Sequence, residues 1–138
     1  MSVVLGYDES PGAARALRIA VEVAAAFDEQ LVLVYGAAAP GPLSKEYRSH
    51  YEAIRQIGRA GLEHAVTEAD RAGVPTVVEV LDDKPAQALI DAATRHSARV
   101  IVVGSWGESP MRGALLGSTP HKLLHMSNVP VLCVPPEL

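Results

Sequence analysis

The sequence predicts one α/β domain over residues 1–138, a five-stranded parallel sheet with helices on both faces. Two observations carry that expectation. Short apolar runs alternate with helical patterns in the order β-α-β-α-β-α-β-α-β, which is how a sheet built from crossover units reads in sequence. The runs are apolar at successive positions, as in Leu31-Val32-Leu33-Val34-Tyr35, as expected of strands covered on both faces. Right-handed crossovers then favour a doubly wound sheet. The alternation does not itself fix the strand order; the expected arrangement is 3-2-1-4-5. At 138 residues the chain is long enough to bury a substantial core.

The first strand, Val3 to Tyr7, ends in the turn cluster Asp8-Glu9-Ser10-Pro11-Gly12. Ser10 followed by Pro11 marks a helix start, and that helix runs to about Phe27 with Ala14, Leu17, Val21, Ala24 and Phe27 as its inward stripe. The second strand is Leu31 to Tyr35. Pro40-Gly41-Pro42 places a loop over residues 37–43, and a long helix is expected from Ser44 to Arg71, facing inward through Tyr47, Tyr51, Ile54, Ile57, Leu62, Ala65 and Ala69. Gly58 and Gly61 weaken its middle by roughly 1 kcal/mol each relative to alanine. Gly73-Val74-Pro75 closes it and opens the third strand, Thr76 to Leu81. A helix begins near Asp82-Asp83-Lys84-Pro85, with Ala86, Leu89, Ile90 and Ala93 as its buried face. Val100 to Val103 form the fourth strand, Pro120 to Ser127 a short helix, and Val129 to Val134 the fifth strand.

Composition narrows the function. The net charge is −4, and no block of like charges occurs, which argues against a nucleic-acid surface. No apolar run is long enough to span a bilayer, and no basic segment precedes an apolar one as in a secretory leader; a cytoplasmic location is expected. Cys133 is the only cysteine, so no intrachain disulfide is available, and its apolar neighbours suit a small buried side chain.

The stretch richest in chemistry is Gly104-Ser105-Trp106-Gly107-Glu108-Ser109-Pro110-Met111-Arg112-Gly113-Ala114-Leu115-Leu116-Gly117-Ser118-Thr119. Gly104, Gly107 and Gly117 permit close approach of a ligand to backbone. Ser118 and Thr119 stand where a helix begins, with unpaired N–H groups and the positive end of the helix dipole, a combination that suits phosphate. The alternative is an ordinary surface loop with Thr119 as N-cap before Pro120. The segment is not a P-loop: Gly113 to Gly117 is one residue too short and no lysine precedes the hydroxyl pair. Nor is it G-x-G-x-x-G. In a doubly wound sheet ligands bind beyond the carboxyl ends of strands where the order reverses. The expected order sets Tyr7-Asp8 and Gly104-Ser105 on either side of that crevice.

What the segment does match is G-x-x-G, nine residues, then G-S, at Gly104, Gly107, Gly117 and Ser118. With the opening strand ending in Tyr7-Asp8-Glu9-Ser10 and the closing Asn128-Val129-Pro130-Val131-Leu132-Cys133-Val134-Pro135, the chain resembles the universal stress protein family along essentially its whole length, specifically the ATP-binding branch. The resemblance implies a five-stranded parallel sheet, a homodimer formed through the last strand (Val129 to Val134), and ATP held with its phosphates on the glycine loop and Ser118. It also implies that Asp8 belongs to the site and that backbone near Val34 meets adenine. On physical grounds the Asp8 carboxylate could hold ribose or Mg²⁺; an Asx turn ahead of the first helix is the alternative.

The chain departs from the family pattern at three places. Thr119-Pro120 replaces a small apolar residue and a second serine, keeping one hydroxyl but losing one N–H. Trp106 stands where a basic or polar residue is common and is placed either to stack on a ligand or to cover the loop. Asp83-Lys84-Pro85 lacks a glycine that commonly precedes the acidic residue. Arg112 either reaches a phosphate or is solvated. His121 and His125 share a helical face at metal-binding spacing, but Lys122 is not the glutamate of H-E-x-x-H and no third ligand is evident; a solvated face is the competing reading. His50, His64 and His96 read as surface residues. No nucleophile has an adjacent base, so any ATP hydrolysis is expected to be slow. The resulting expectation is a dimeric ATP-binding sensor or regulator in a stress response. A non-nucleotide interaction module of the same fold, or a nucleotidyl or phosphoryl transferase, are the rivals.

Overall fold

A computed structural model describes residues 1–7, 11–36, 62–81, 84–105 and 118–137. The chain folds in the order β1 (Ser2–Gly6), α1 (Pro11–Phe27), β2 (Gln30–Gly36), α2 (helical residues 62–71), β3 (Thr76–Leu81), α3 (Pro85–Arg95), β4 (Ala98–Gly104), α4 (Ser118–Met126) and β5 (Val131–Val134). All four strand pairs are parallel, and the five-stranded sheet has the order β3-β2-β1-β4-β5. The expected 3-2-1-4-5 arrangement is therefore the one found.

Period-two alternation divides the sheet between two apolar layers. Val3, Leu5 and Tyr7 of β1, with Leu31 and Leu33 of β2, pack under α1 and α2. Val4 of β1 and Val32 and Val34 of β2 turn to the opposite face, against α3 and Leu123 of α4. Small residues line the helices: Ala13, Ala16, Ala20 and Ala24 of α1, and Ala86, Ala88, Ala92 and Ala93 of α3 are buried. With so few aromatic residues, branched side chains from the strands fill the space between. Leu5, Leu31 and Leu33 are fully buried, each contributing about 1.5–3 kcal/mol by area.

The inward faces differ in detail from expectation. In α1 the buried stripe is Ala13, Ala16, Leu17, Ala20, Val21 and Ala24; Ala14 is exposed and Phe27 is 53% exposed. Phe27 leaves the core because the helix ends there, and its ring carries the Arg99 guanidinium 4.1 Å from its centroid. On α3, Ala88 and Ala92 are buried where Ile90 is only half-buried. Leu62, Ala65 and Ala69 of α2 are buried as expected. The rest of the long second helix and the loop over residues 37–43 lie outside the described residues.

Three helices end through a residue in the left-handed region. Asp28 (φ 53°) closes α1, with its N–H and that of Glu29 donating to the Ala25 and Ala24 carbonyls at 3.2 and 2.9 Å. Gly73 (φ 74°) follows α2 and Ser97 (φ 50°) follows α3, which satisfies carbonyls the helices leave free. At the other end of the chain, Pro130 is not part of β5. Its carbonyl accepts the Ile101 N–H at 2.9 Å, and strand pairing starts at Val131, opposite Ile101, two residues later than expected. Residues 135–137 then lie along α1, where Arg15 Nη1 donates to the Pro135 carbonyl at 2.8 Å and Arg18 pairs with Glu137.

Candidate functional site

The strand order reverses between β1 and β4, so the carboxyl ends of these two strands define the crevice where this architecture takes ligands. Continuing the register of Leu5 with Val102 sets Tyr7 level with Gly104. Tyr7 is buried, and its N–H donates to the Val34 carbonyl at 3.2 Å. Val34 is itself buried beside Gly6, so that carbonyl is held within the sheet.

Gly104 ends β4 against the first turn of α1. A Cβ there would lie 3.1 Å from the Gly12 carbonyl carbon, 3.3 Å from its oxygen and 3.4 Å from the Ala13 nitrogen. All three are backbone atoms that cannot rotate away, so any side chain here would push the first turn of α1 aside by a few tenths of an ångström. This contact brings the N-terminus of α1 to the end of β4. The next residue, Ser105, is buried, and its N–H donates to the Val134 carbonyl at 2.9 Å, tying the end of β4 to β5.

α4 begins at Ser118, two residues before the expected start, so Thr119 lies inside the first turn rather than capping it. Pro120 costs the helix no bond, since the first turn's N–H groups have no intrahelical acceptor. Ser118 is exposed and Thr119 half-buried. Neither α1 nor α4 has an acidic residue in its first turn. An anion at these N-termini would meet the positive end of the helix dipole with no carboxylate from the same turn opposing it, which fits a phosphate group. Asp8, Trp106, Gly107, Arg112 and Gly117 lie outside the described residues, as does Asp83.

Among the described residues, the ionisable groups whose titration the fold alters lie away from this crevice. Arg99 donates twice to Glu29 Oε1, at 2.6 and 3.0 Å, and this pairing holds the Glu29 carboxyl below its usual range against the opposing effect of burial. Burial pushes the Glu79 carboxyl up, but hydrogen bonds from His96 and Arg95 outweigh it and leave it lowered. His96 is thus not the free surface residue expected: its ring lies 2.8 Å from Glu79, and its carbonyl accepts the Ser2 hydroxyl at 2.9 Å. Burial raises the Cys133 thiol, in keeping with a packing role. Gly12 is the residue the sequence reading passed over. Its only signal was the Gly-Ala pair in a first helical turn facing a glycine at a strand end.

The fold is that of a doubly wound α/β protein whose strand order reverses between β1 and β4. A family model, the universal stress protein family, matches residues 1–135. The chain belongs to the universal stress protein family. It is 25% identical to a universal stress protein of Methanocaldococcus jannaschii, covering 96% of this chain and 80% of that one. It is 32% identical to one of Mycobacterium tuberculosis over 99% of this chain and 48% of the relative; against such relatives the chain spans about half their length. Among solved structures, a universal stress protein in complex with cAMP is 28% identical with a TM-score of 0.78, covering 99% of this chain and 98% of that one. One from Archaeoglobus fulgidus in complex with dAMP shares the fold at 23% identity with a TM-score of 0.74, over 97% of each chain.

Proposed function

We propose that this protein binds an adenine nucleotide, ATP with Mg²⁺, in the crevice beyond β1 and β4, and acts as a dimeric sensor or regulator in a stress response. The observation that carries the reading is the backbone contact of Gly104 with Gly12, which draws the N-terminus of α1 to the point of strand reversal. Support comes from the family, in which one relative holds cAMP and a protein of the same fold holds dAMP; both ligands pair an adenine with a phosphate group.

In this reading the backbone of Gly104, Gly107 and Gly117 and the hydroxyls of Ser118 and Thr119 take the phosphates. Tyr7, Ser105, Trp106 and Arg112 border the ligand, and the strand end around Val34 meets adenine. Asp8 holds ribose or the magnesium ion, which would neutralise phosphate charge when bound. The residues assigned here bind and orient; none is positioned by the reading as a general base, so turnover is slow. A cytoplasmic location is consistent with the family and with the absence, among the described residues, of a helix long and apolar enough to cross a membrane.

Calorimetry of the purified protein with ATP and Mg²⁺ tests the proposal, with Asp8→Asn as the decisive variant. The amide retains the acceptor for a local turn but loses the charge a hard cation prefers. The expected result is a normal melting temperature without ligand and clearly weaker ATP–Mg²⁺ binding. Equal affinity in wild type and variant would remove Asp8 from the site. No binding of any adenine nucleotide by the wild type would leave the fold as an interaction module.

A further inference from the structure

The imidazole rings of His121 and His125 stand with centroids 4.7 Å apart at an interplanar angle of 69°, one turn apart on the exposed side of α4. We propose that this pair is a two-imidazole chelating site for a borderline divalent transition-metal ion, Cu²⁺, Ni²⁺ or Zn²⁺. It is separate from the nucleotide reading and does not depend on it.

The geometry supports chelation. Two imidazoles bound cis to one ion at about 2.0–2.1 Å per metal–nitrogen bond have ring centroids roughly 4.5–5 Å apart. The observed separation of 4.7 Å lies in that interval, so the two rings are close enough to share one ion. The α-helical spacing of four residues fixes the two Cβ atoms on one face. Among the described residues no carboxylate or carbonyl hydrogen-bonds either ring: the histidine bound to an acidic partner is His96, on Glu79. His125 also lies in the last turn of α4, where the dipole favours a cation.

The donor set decides which ion and what kind of site. Imidazole suits copper, nickel and zinc and does not suit magnesium or calcium. Among the described residues no group of three or more His, Cys, Asp or Glu side chains is disposed to hold a metal, so the proposed site is an open one of two imidazoles, with Cu²⁺ held more tightly than Ni²⁺ or Zn²⁺.

The test uses the full chain without a polyhistidine tag. CuCl₂ and NiCl₂ are titrated separately, with calorimetry for stoichiometry and the visible ligand-field absorption of Cu²⁺ as a spectroscopic signature of nitrogen ligation. The expected result is one ion per chain, a melting temperature raised by the ion, and no response to Mg²⁺. His121→Ala and His125→Ala each turn a chelate into a single ligand, and affinity falls by on the order of 100-fold. Both positions are exposed, so circular dichroism should show an unchanged fold. His64→Ala, at another exposed helical position, should bind as wild type does. The proposal is overturned if wild type shows no saturable binding, or if both single variants bind Cu²⁺ with wild-type affinity.

Discussion

Gly104 and Gly12 meet backbone to backbone: a Cβ on Gly104 would stand 3.1 Å from the Gly12 carbonyl carbon. The strand end and the first turn of α1 are thereby held at a separation that suits a glycine. A methyl group at this position has to move a helix. Gly6 is the natural comparison, because a Cβ there would meet side chains, Leu89 Cδ1 at 3.0 Å and Val103 Cγ1 at 3.2 Å. The leucine can shift its rotamer. Gly104→Ala should therefore cost about 1–3 kcal/mol, the usual range for overpacking, and Gly6→Ala distinctly less. Urea denaturation of both variants checks the order, and equal costs would show that α1 yields as easily as Leu89.

The same contact means that Gly104 cannot test nucleotide binding cleanly, since any substitution also moves α1. Ser118 can. It is exposed at the start of α4, and among the described residues no hydrogen bond holds its hydroxyl. Ser118→Ala should leave the unliganded melting temperature within a degree or two and weaken ATP binding by the worth of one hydroxyl donor, about 0.5–1.5 kcal/mol. Calorimetry on the folded variant decides it. An unchanged dissociation constant would mean that the hydroxyl does not reach the phosphates.

The sheet was legible because its strands carry runs of consecutive apolar residues and are separated by helical periods, a pattern with few parallel-sheet solutions. Helix ends were legible at Phe27, where the apolar stripe stops, and at Gly73. Gly73 was readable as a stop; Asp28 and Ser97 take the same left-handed conformation without a residue that demands it, so tertiary packing sets those two. β4 begins at Ala98, ahead of the apolar run from Val100, and the charged Arg99 is accommodated there by its ion pair with Glu29 and its place over Phe27. At the site, glycine spacing pointed to Gly104 but not to its cause. The need for glycine comes from Gly12, more than ninety positions away in sequence, and no local pattern reports such a contact.

The Glu29–Arg99 pair should govern part of the acid limb of stability. Its geometry is two hydrogen bonds onto one oxygen, with Glu29 Oε2 buried and unpartnered among the described residues. The folded-state pKa lies below the ordinary value of 4.5. A carboxylate so lowered stabilises the fold above its unfolded pKa, and that contribution is lost as pH falls through the folded value. Glu29→Gln keeps the acceptor oxygen but removes the charge. The variant should be less stable than wild type by a constant amount at neutral pH, and the difference should shrink below about pH 4.5 as the wild-type carboxylate takes up its proton. Melting temperatures across that range check it; a difference that does not change with pH would assign the pair a packing role only.

The last strand is where the expected dimer is best tested. β5 has β4 on one side only, so its outer edge offers unpaired backbone groups, a surface that proteins cover or pair. Leu132 is 37% exposed on that strand, and Leu124 and Met126 of α4 are each 53% exposed. On sequence alone, Val131 and Val134 are equivalent places to put a disrupting charge. The structure separates them, because Val134 is 4% exposed and packs in the core with Leu5 and Val102, whereas Val131 is half-buried at the strand start. A charge at Val134 would be buried without compensation, at a cost on the order of 3–5 kcal/mol, and loss of the dimer would then report unfolding. Leu132 is the more exposed position, 37% in the isolated chain, so Leu132→Asp should lower the melting temperature while leaving the chain folded. If β5 forms the interface, wild type should run as a dimer in size-exclusion chromatography with light scattering, and Leu132→Asp as a folded monomer. A Leu132→Asp protein that remains dimeric at the same concentrations would place the contact on another surface, and a monomeric wild type would remove the dimer from the proposal.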